Sequence, residues 1–207
     1  MRRITARSLA AQTTKDWEWV VLLDRHDPFL KRRQRVVRSV GVPTRIFYTE
    51  GDGEDLQRDA ALAYRAEWGS VVDSAHGHVL MTRMDDDDAL APNALQRVQE
   101  AWEWEPSDER RVYIIPEGFR VWNGHYDPVR HESNAWATLA TPPGDALTVY
   151  GYSHKRVENF AAVQLLEGEP GWLWVRHRDA MSGHRRAERP IDDELRARFP
   201  VDWRVLG

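Results

Sequence analysis

Val79-Leu80-Met81-Thr82-Arg83-Met84-Asp85-Asp86-Asp87-Asp88 decides the fold class, because an apolar run here ends in four consecutive carboxylates. The first six residues read as a strand entering a buried sheet, and the acids mark where the chain leaves it. Upstream, Trp17-Glu18-Trp19-Val20-Val21-Leu22-Leu23 begins in alternation, becomes continuously apolar and stops at Asp24. Residues 45–49 give a further strand. Between these two, residues 31–39 form a basic helix with Val36, Val37 and Val40 as its apolar contacts, broken by Pro43. Residues 3–13 read as a short helix. Residues 55–68 read as another, with Leu56, Ala60, Ala63, Tyr64 and Trp68 at helical spacing. A helix is also expected just after Pro92, with Leu95, Val98 and Trp102 on one face. Strand and helix alternate through this half, which is the pattern of an α/β fold.

The second half reads as a strand over 111–116, then a hairpin over 118–126 turning at Asn123-Gly124. A short helix is expected over 134–140, a turn at Pro142-Pro143-Gly144, and strands over 147–150 and 172–175. Residues 182–190 read as a polar, basic surface segment, and the last residues dock through Phe199 and Trp203. No internal repeat or low-complexity linker interrupts the chain, so 1–207 is read as a single domain.

Composition narrows the function classes. With 207 residues the chain can bury a full core, and with no cysteine it has no disulfide framework, thiolate zinc site or cysteine nucleophile. No apolar run approaches the roughly 18–20 residues of a membrane span. Met1-Arg2-Arg3-Ile4-Thr5-Ala6-Arg7-Ser8-Leu9 carries charge but no continuous apolar core, so it is not a secretory signal and a cytoplasmic location is expected. The net charge of −4 in a chain that is 30% charged argues against nucleic-acid binding driven by overall charge. Lys31-Arg32-Arg33-Gln34-Arg35 and His184-Arg185-Arg186 read as solvated faces, and contact there with nucleic acid, anionic lipid or a charged acceptor stays open.

The acidic run carries the sharpest chemistry. In an extended segment Asp85 and Asp87 share one side and Asp86 and Asp88 the other. Like charges so close call for a cation, protonation or basic partners. Oxygen-only ligands suit Mg²⁺ or Mn²⁺ carrying a substrate phosphate, and ligands of open α/β sheets bind beyond the carboxyl ends of strands. The plainer reading is that Asp87 or Asp88 caps the next helix while the rest is solvated. Both hold together if Asp88 caps and Asp85 and Asp87 grip an ion.

Thr82-Arg83-Met84-Asp85-Asp86-Asp87-Asp88-Ala89-Leu90 resembles the "TRLDxDDAL" segment of the putative rhamnosyltransferase family, a group of GT-A-type glycosyltransferases. Ser8-Leu9-Ala10-Ala11-Gln12-Thr13, then Asp16-Trp17 and Val20-Val21-Leu22-Leu23-Asp24, resembles that family's "SLxxQT..DF.WLVLVD" opening, in the same order and spacing. The resemblance is continuous to about Leu90 and patchy beyond. It implies a GT-A-like (Rossmann-like), mainly parallel sheet flanked by helices, with a smaller mixed C-terminal part. It also implies a nucleotide-sugar-binding half over 1–105 and an acceptor-side half over 106–207. By motif position Asp85 and Asp87 would hold Mn²⁺ or Mg²⁺ against the diphosphate of a nucleotide-sugar donor, and Asp24 would contact the base or ribose. Arg83 would meet a phosphate, or simply pair with the acids. His177, in Trp174-Val175-Arg176-His177, falls where many GT-A proteins supply a further metal ligand, with His154 a second candidate. The family has a strand ahead of the "SLxxQT" helix, whereas this sequence opens within or just before that helix. Either the start is truncated or the sheet is built without that strand, and a neighbouring sheet edge is then left to be covered.

The activity implied is sugar transfer to the hydroxyl of an unidentified glycan or other acceptor. Asp145, Glu132 and Asp179 are candidates for a base, none of them assigned. Trp122, Trp136 and Trp172 would suit stacking on a sugar face, although an aromatic core is the commoner use of such residues. Two other readings stand beside transfer. One is a catalytically impaired sugar- or partner-binding module, and the other is a metal-dependent phosphoesterase or nuclease using the same acids.

Overall fold

The apolar run before Asp24 forms β1 (Trp19–Asp24), which pairs in parallel with β2 (Thr44–Thr49) from Trp19 opposite Thr44 to Asp24 opposite Thr49. The computed structural model describes residues 4–49, 78–143, 145, 149, 154–176 and 187–206. Ahead of β1 lies α1 (Thr5–Ala10), and between β1 and β2 crosses α2 (Leu30–Arg38). Val37 of α2 is fully buried against Val21 and Leu23, so a basic helix is held by a narrow apolar stripe. The helix expected over 55–68 lies outside the described residues.

A second sheet runs in the order β3 (Val79–Thr82), β8 (Thr138–Thr141), β5 (Arg111–Ile114), β9 (Ala162–Leu165). A third runs β11 (Arg189–Pro190), β7 (His125–Arg130), β6 (Glu117–Trp122), β10 (Trp172–Arg176), β4 (Ala89–Leu90). The fold is α/β as expected. Its described strands form sheets of mixed direction, however, and antiparallel pairings outnumber parallel ones. One of the five antiparallel pairings is the β6–β7 hairpin, and the other four join strands that are not consecutive in the chain.

The hairpin at Asn123-Gly124 is present: Asn123 has φ 47° and Gly124 φ 77°, the two positive values a type I′ turn requires. The helix expected over 134–140 is absent. Asn134 is buried, donates from Nδ2 to the carbonyls of Ile115 and His131, and accepts the Trp136 N–H at 3.0 Å, which makes a turn. Thr138-Leu139-Ala140-Thr141 then runs as a central strand buried on both faces. Such a strand lacks alternation, and a short run of small and apolar residues then reads equally well as helix.

α3 (Ala94–Trp104) buries Ala94 and Val98, the latter packing against Tyr113 and Ala140. 3₁₀ helices span His154–Asn159 and Trp203–Val205. α4 (Asp193–Arg198) is capped by Asp192, which accepts the Leu195 N–H at 2.8 Å. Phe199 is fully buried and Trp203 packs against the same cluster, so the C-terminal segment docks as expected. Among the described residues no helix is long and apolar enough to cross a membrane.

Candidate active site at the acidic rim

β3 closes with Thr82, whose hydroxyl bonds that of Thr138 at 2.7 Å. The chain then leaves the sheet, turns at Asp86 and Asp87, and re-enters as β4 in a different sheet. The acidic run is therefore the bend joining two sheets, and the alternation expected of an extended segment does not hold through it. Asp85 and Asp86 are exposed, Asp87 is half-buried and Asp88 is buried, 1% accessible.

Asp88 is not a helix cap. β4 stands between it and α3, whose N-cap residue is Asn93. Its carboxyl accepts the backbone N–H of Val175 at 2.9 Å, on β10 just past the point where the β4–β10 ladder ends. The side chain thus takes over from a strand that has run out. Burial holds the Asp88 carboxyl well above the usual carboxylate range. Asp87 and Asp85 push it the same way, while the Val175 N–H and Arg176 oppose them.

Two arginines balance the exposed acids. Arg83 stands 3.6 Å from Asp85, the ion pair that the plainer reading of this residue expects. Arg33 of α2 reaches Asp86 at 3.2 Å and also pairs with Asp27. Asp27 lies just beyond β1 and Asp86 just beyond β3, so the carboxyl ends of these two strands meet at one rim. Asp24, the last residue of β1, accepts the His26 N–H at 2.8 Å. Arg25 beside it lies over the Tyr48 ring at 5.6 Å.

Through the Arg33 pairs, the segment that carries Asp24 and the bend that carries Asp85 and Asp87 lie at one rim. His177 and Asp179 lie outside the described residues, as does the side chain of His154. Among the described residues no three His, Asp or Glu side chains gather into a metal-holding group. The oxygen donors of Asp85 and Asp87 nonetheless suit Mg²⁺ or Mn²⁺, which are commonly held by one or two carboxylates together with a substrate phosphate. Two of the base candidates are engaged in ion pairs, Asp145 with Arg110 and Glu132 with Arg130. Trp136 and Trp172 are buried and stack on each other at 4.3 Å, so they build core instead of a sugar platform.

The polar residues of α1 and of the turn that follows it supply what sequence reasoning missed. Thr5 donates its hydroxyl to the Asp88 carbonyl at 2.8 Å, and the Ser8 hydroxyl accepts the Leu90 N–H at 3.3 Å. Gln12, fully buried, donates to the Ala91 carbonyl at 2.9 Å and accepts the Leu95 N–H at 3.3 Å. Thr13 donates its N–H to the Pro92 carbonyl at 2.8 Å. α1 and the turn that follows it therefore satisfy much of the backbone of residues 88–95, which leaves the sheet with few ladder partners. The available signal was the spacing of Thr5, Ser8 and Gln12 at one helical face among apolar residues.

No curated protein and no solved structure matches this chain. A family model described as putative rhamnosyl transferase matches residues 1–189, a span that takes in the acidic rim, α1 and every sheet. With nearly all of its length so matched, the chain belongs to the putative rhamnosyl transferase family.

Proposed function

We propose that this chain moves a sugar from a nucleotide-sugar donor to a hydroxyl acceptor at the rim where β1 and β3 end. Family membership points to glycosyl transfer. The observation that carries the finer reading is the convergence of two acid-bearing strand ends, Asp24 and the 85–88 bend, tied by Arg33 through Asp27 and Asp86. Such a rim is where open α/β folds receive ligands.

Asp85 and Asp87 would hold Mn²⁺ or Mg²⁺, with His177 as a further ligand. The ion, when bound, neutralises charge that grows on the departing diphosphate. Arg83, kept close by Asp85, offers a planar donor pair to a phosphate. Asp24 accepts from a base or ribose hydroxyl. Arg33 fixes the distance between the two halves of the rim, so its role is positioning. The buried Asp88 anchors the bend to β10 and leaves its neighbours facing outward.

The experiment is donor-dependent release of nucleoside diphosphate. Purified chain is incubated with dTDP-, UDP- and GDP-sugars, Mn²⁺ and a panel of glycan acceptors. Release that needs both Mn²⁺ and acceptor supports transfer. Cleavage of a phosphodiester without any sugar donor would favour the phosphoesterase reading. Donor binding without turnover would favour the binding-module reading.

A further inference from the structure

No Asp or Glu occurs from Pro28 to Thr49, a stretch that holds six Lys and Arg in a chain of net charge −4. α2 carries most of that positive charge. Val37 marks its inner face, packed against Val21 and Leu23. At about 100° per residue, Lys31, Arg32, Arg35 and Arg38 fall on the outer side of the helix, and all four are exposed. Among the described residues no carboxylate pairs with any of them. Elsewhere the arginines meet acids: Arg110 pairs with Asp145, Arg120 with Asp127 and Arg130 with Glu167. Like charges one helical turn apart repel each other, and an anionic surface outside the molecule relieves that repulsion.

Phe29 stands one residue ahead of α2, its carbonyl accepting the N–H groups of Arg32 and Arg33 at 2.9 Å. It is 58% exposed, an unusual position for a phenyl ring unless something covers it. Around the helix it falls between Arg33, which reaches the rim, and Arg32, which opens the cationic face. From the rim outward the surface therefore runs from Arg33 to a bare aromatic ring and then to four cations.

We propose that this face of α2 docks on an anionic lipid bilayer, with its four cations among the headgroups and Phe29 entering the interface. Basic side chains beside an aromatic ring match both layers of such a surface, the charged headgroups and the apolar boundary beneath them. The neighbouring acids favour lipid over nucleic acid. α2 has nine residues, so its face spans about four phosphates of an extended strand. A longer strand overruns it, and on the rim side it meets Asp27 and Asp86, the partners of Arg33. Its phosphates are fixed along the chain and cannot avoid those acids. Lipids diffuse in the plane of the bilayer, so anionic headgroups gather under the cations and neutral ones lie under the acids. Because Arg33 ties the same helix to Asp86, docking sets the acidic rim beside the bilayer. The inference goes beyond sugar transfer and does not depend on it.

The test is co-sedimentation of the whole chain with vesicles of phosphatidylcholine alone and of an equal mixture with phosphatidylglycerol. Each is run at low salt and in about 0.5 M sodium chloride, where charges are screened within a few ångströms. No donor, acceptor or metal is added, so the result stands apart from glycosyl transfer. At low salt the chain should partition at least tenfold more strongly to the mixed vesicles, and high salt should remove the difference. Arg32→Glu with Arg35→Glu should lower that partition at least tenfold. Arg189→Glu with Arg196→Glu, the same charge change on exposed residues elsewhere, should lower it far less, and Phe29→Ser should lower it about threefold. Thermal unfolding checks that each variant folds, and Arg32→Gln with Arg35→Gln takes the place of the Glu pair if that pair does not. Equal binding to both vesicles, binding to neither, equal loss in the two charge reversals, or Phe29→Ser without effect overturns the proposal. Polyuridylate that strips the chain from mixed vesicles at equal phosphate concentration also overturns it and assigns the face to nucleic acid.

Discussion

The Asp88 carboxyl accepts the backbone N–H of Val175 at 2.9 Å, and this bond fastens the acidic bend to the strand beside it. It has a cost, because a buried carboxyl beside Asp87 and Asp85 resists ionisation. In the unfolded chain the same group titrates near its ordinary value of about 3.9. Between that value and the raised one in the fold, the unfolded chain holds fewer protons. The stability Asp88 contributes is thus full below the ordinary value and is lost as pH rises through the raised one. Asp88→Asn keeps an acceptor for Val175 and removes the charge. Urea unfolding should place its midpoint above that of the unsubstituted chain at pH 7, with the gap closing towards pH 4. Asp88→Ala should instead lower stability by about 1–3 kcal/mol, because the Val175 N–H is left buried and unmatched.

Gly118 on β6 faces Trp172 on β10 with no room for a side chain. A Cβ there would lie 2.1 Å from Cδ2 of the indole. The ring is also held by the Trp136 stack and by its own N–H bond to the Ile115 carbonyl at 2.8 Å, so it cannot yield cheaply. Gly118→Ala should cost about 1–3 kcal/mol by overpacking. In a Trp172→Ala background, itself about 3–5 kcal/mol less stable, the glycine substitution should cost much less. A double-mutant cycle by denaturant unfolding reads this coupling directly.

Arg33 is partly exposed; its partner Asp86 is exposed and its partner Asp27 half-buried. Arg33→Ala should therefore lower stability by only about 1 kcal/mol. If it positions the rim, donor KM should rise at least several-fold with kcat changed less, and Arg33→Lys should restore part of the loss. An unchanged KM would assign Arg33 to surface charge alone.

Much of this fold was legible where a single physical signal dominated. The apolar runs before Asp24 and Asp85 are strands, and Asn123-Gly124 could only turn with both φ angles positive. Residues 134–141 misled because a strand buried on both faces carries no alternation. The acid run was legible as a distinct feature of the sequence but not in shape. Its neighbours in sequence do not reveal that Asp88 must substitute for the end of β4 against Val175, 87 residues away. The same holds for Ser8 and Gln12, which read as ordinary helix polar groups until their partners at 90, 91 and 95 are known. Long-range backbone satisfaction leaves almost no local pattern.

The measurement that tests the central claim most directly is thermal unfolding with dTDP, UDP and GDP, each with and without Mn²⁺, on the unsubstituted chain and on Asp85→Asn and Asp87→Asn. Both acids are at least partly exposed, so the substitutions alone should leave stability within about 0.5 kcal/mol. The account predicts that one nucleotide with Mn²⁺ raises Tm in the unsubstituted chain, by mass action on the folded state, and that either substitution abolishes the rise. An equal rise in both variants, or a nucleotide response indifferent to Mn²⁺, would contradict it.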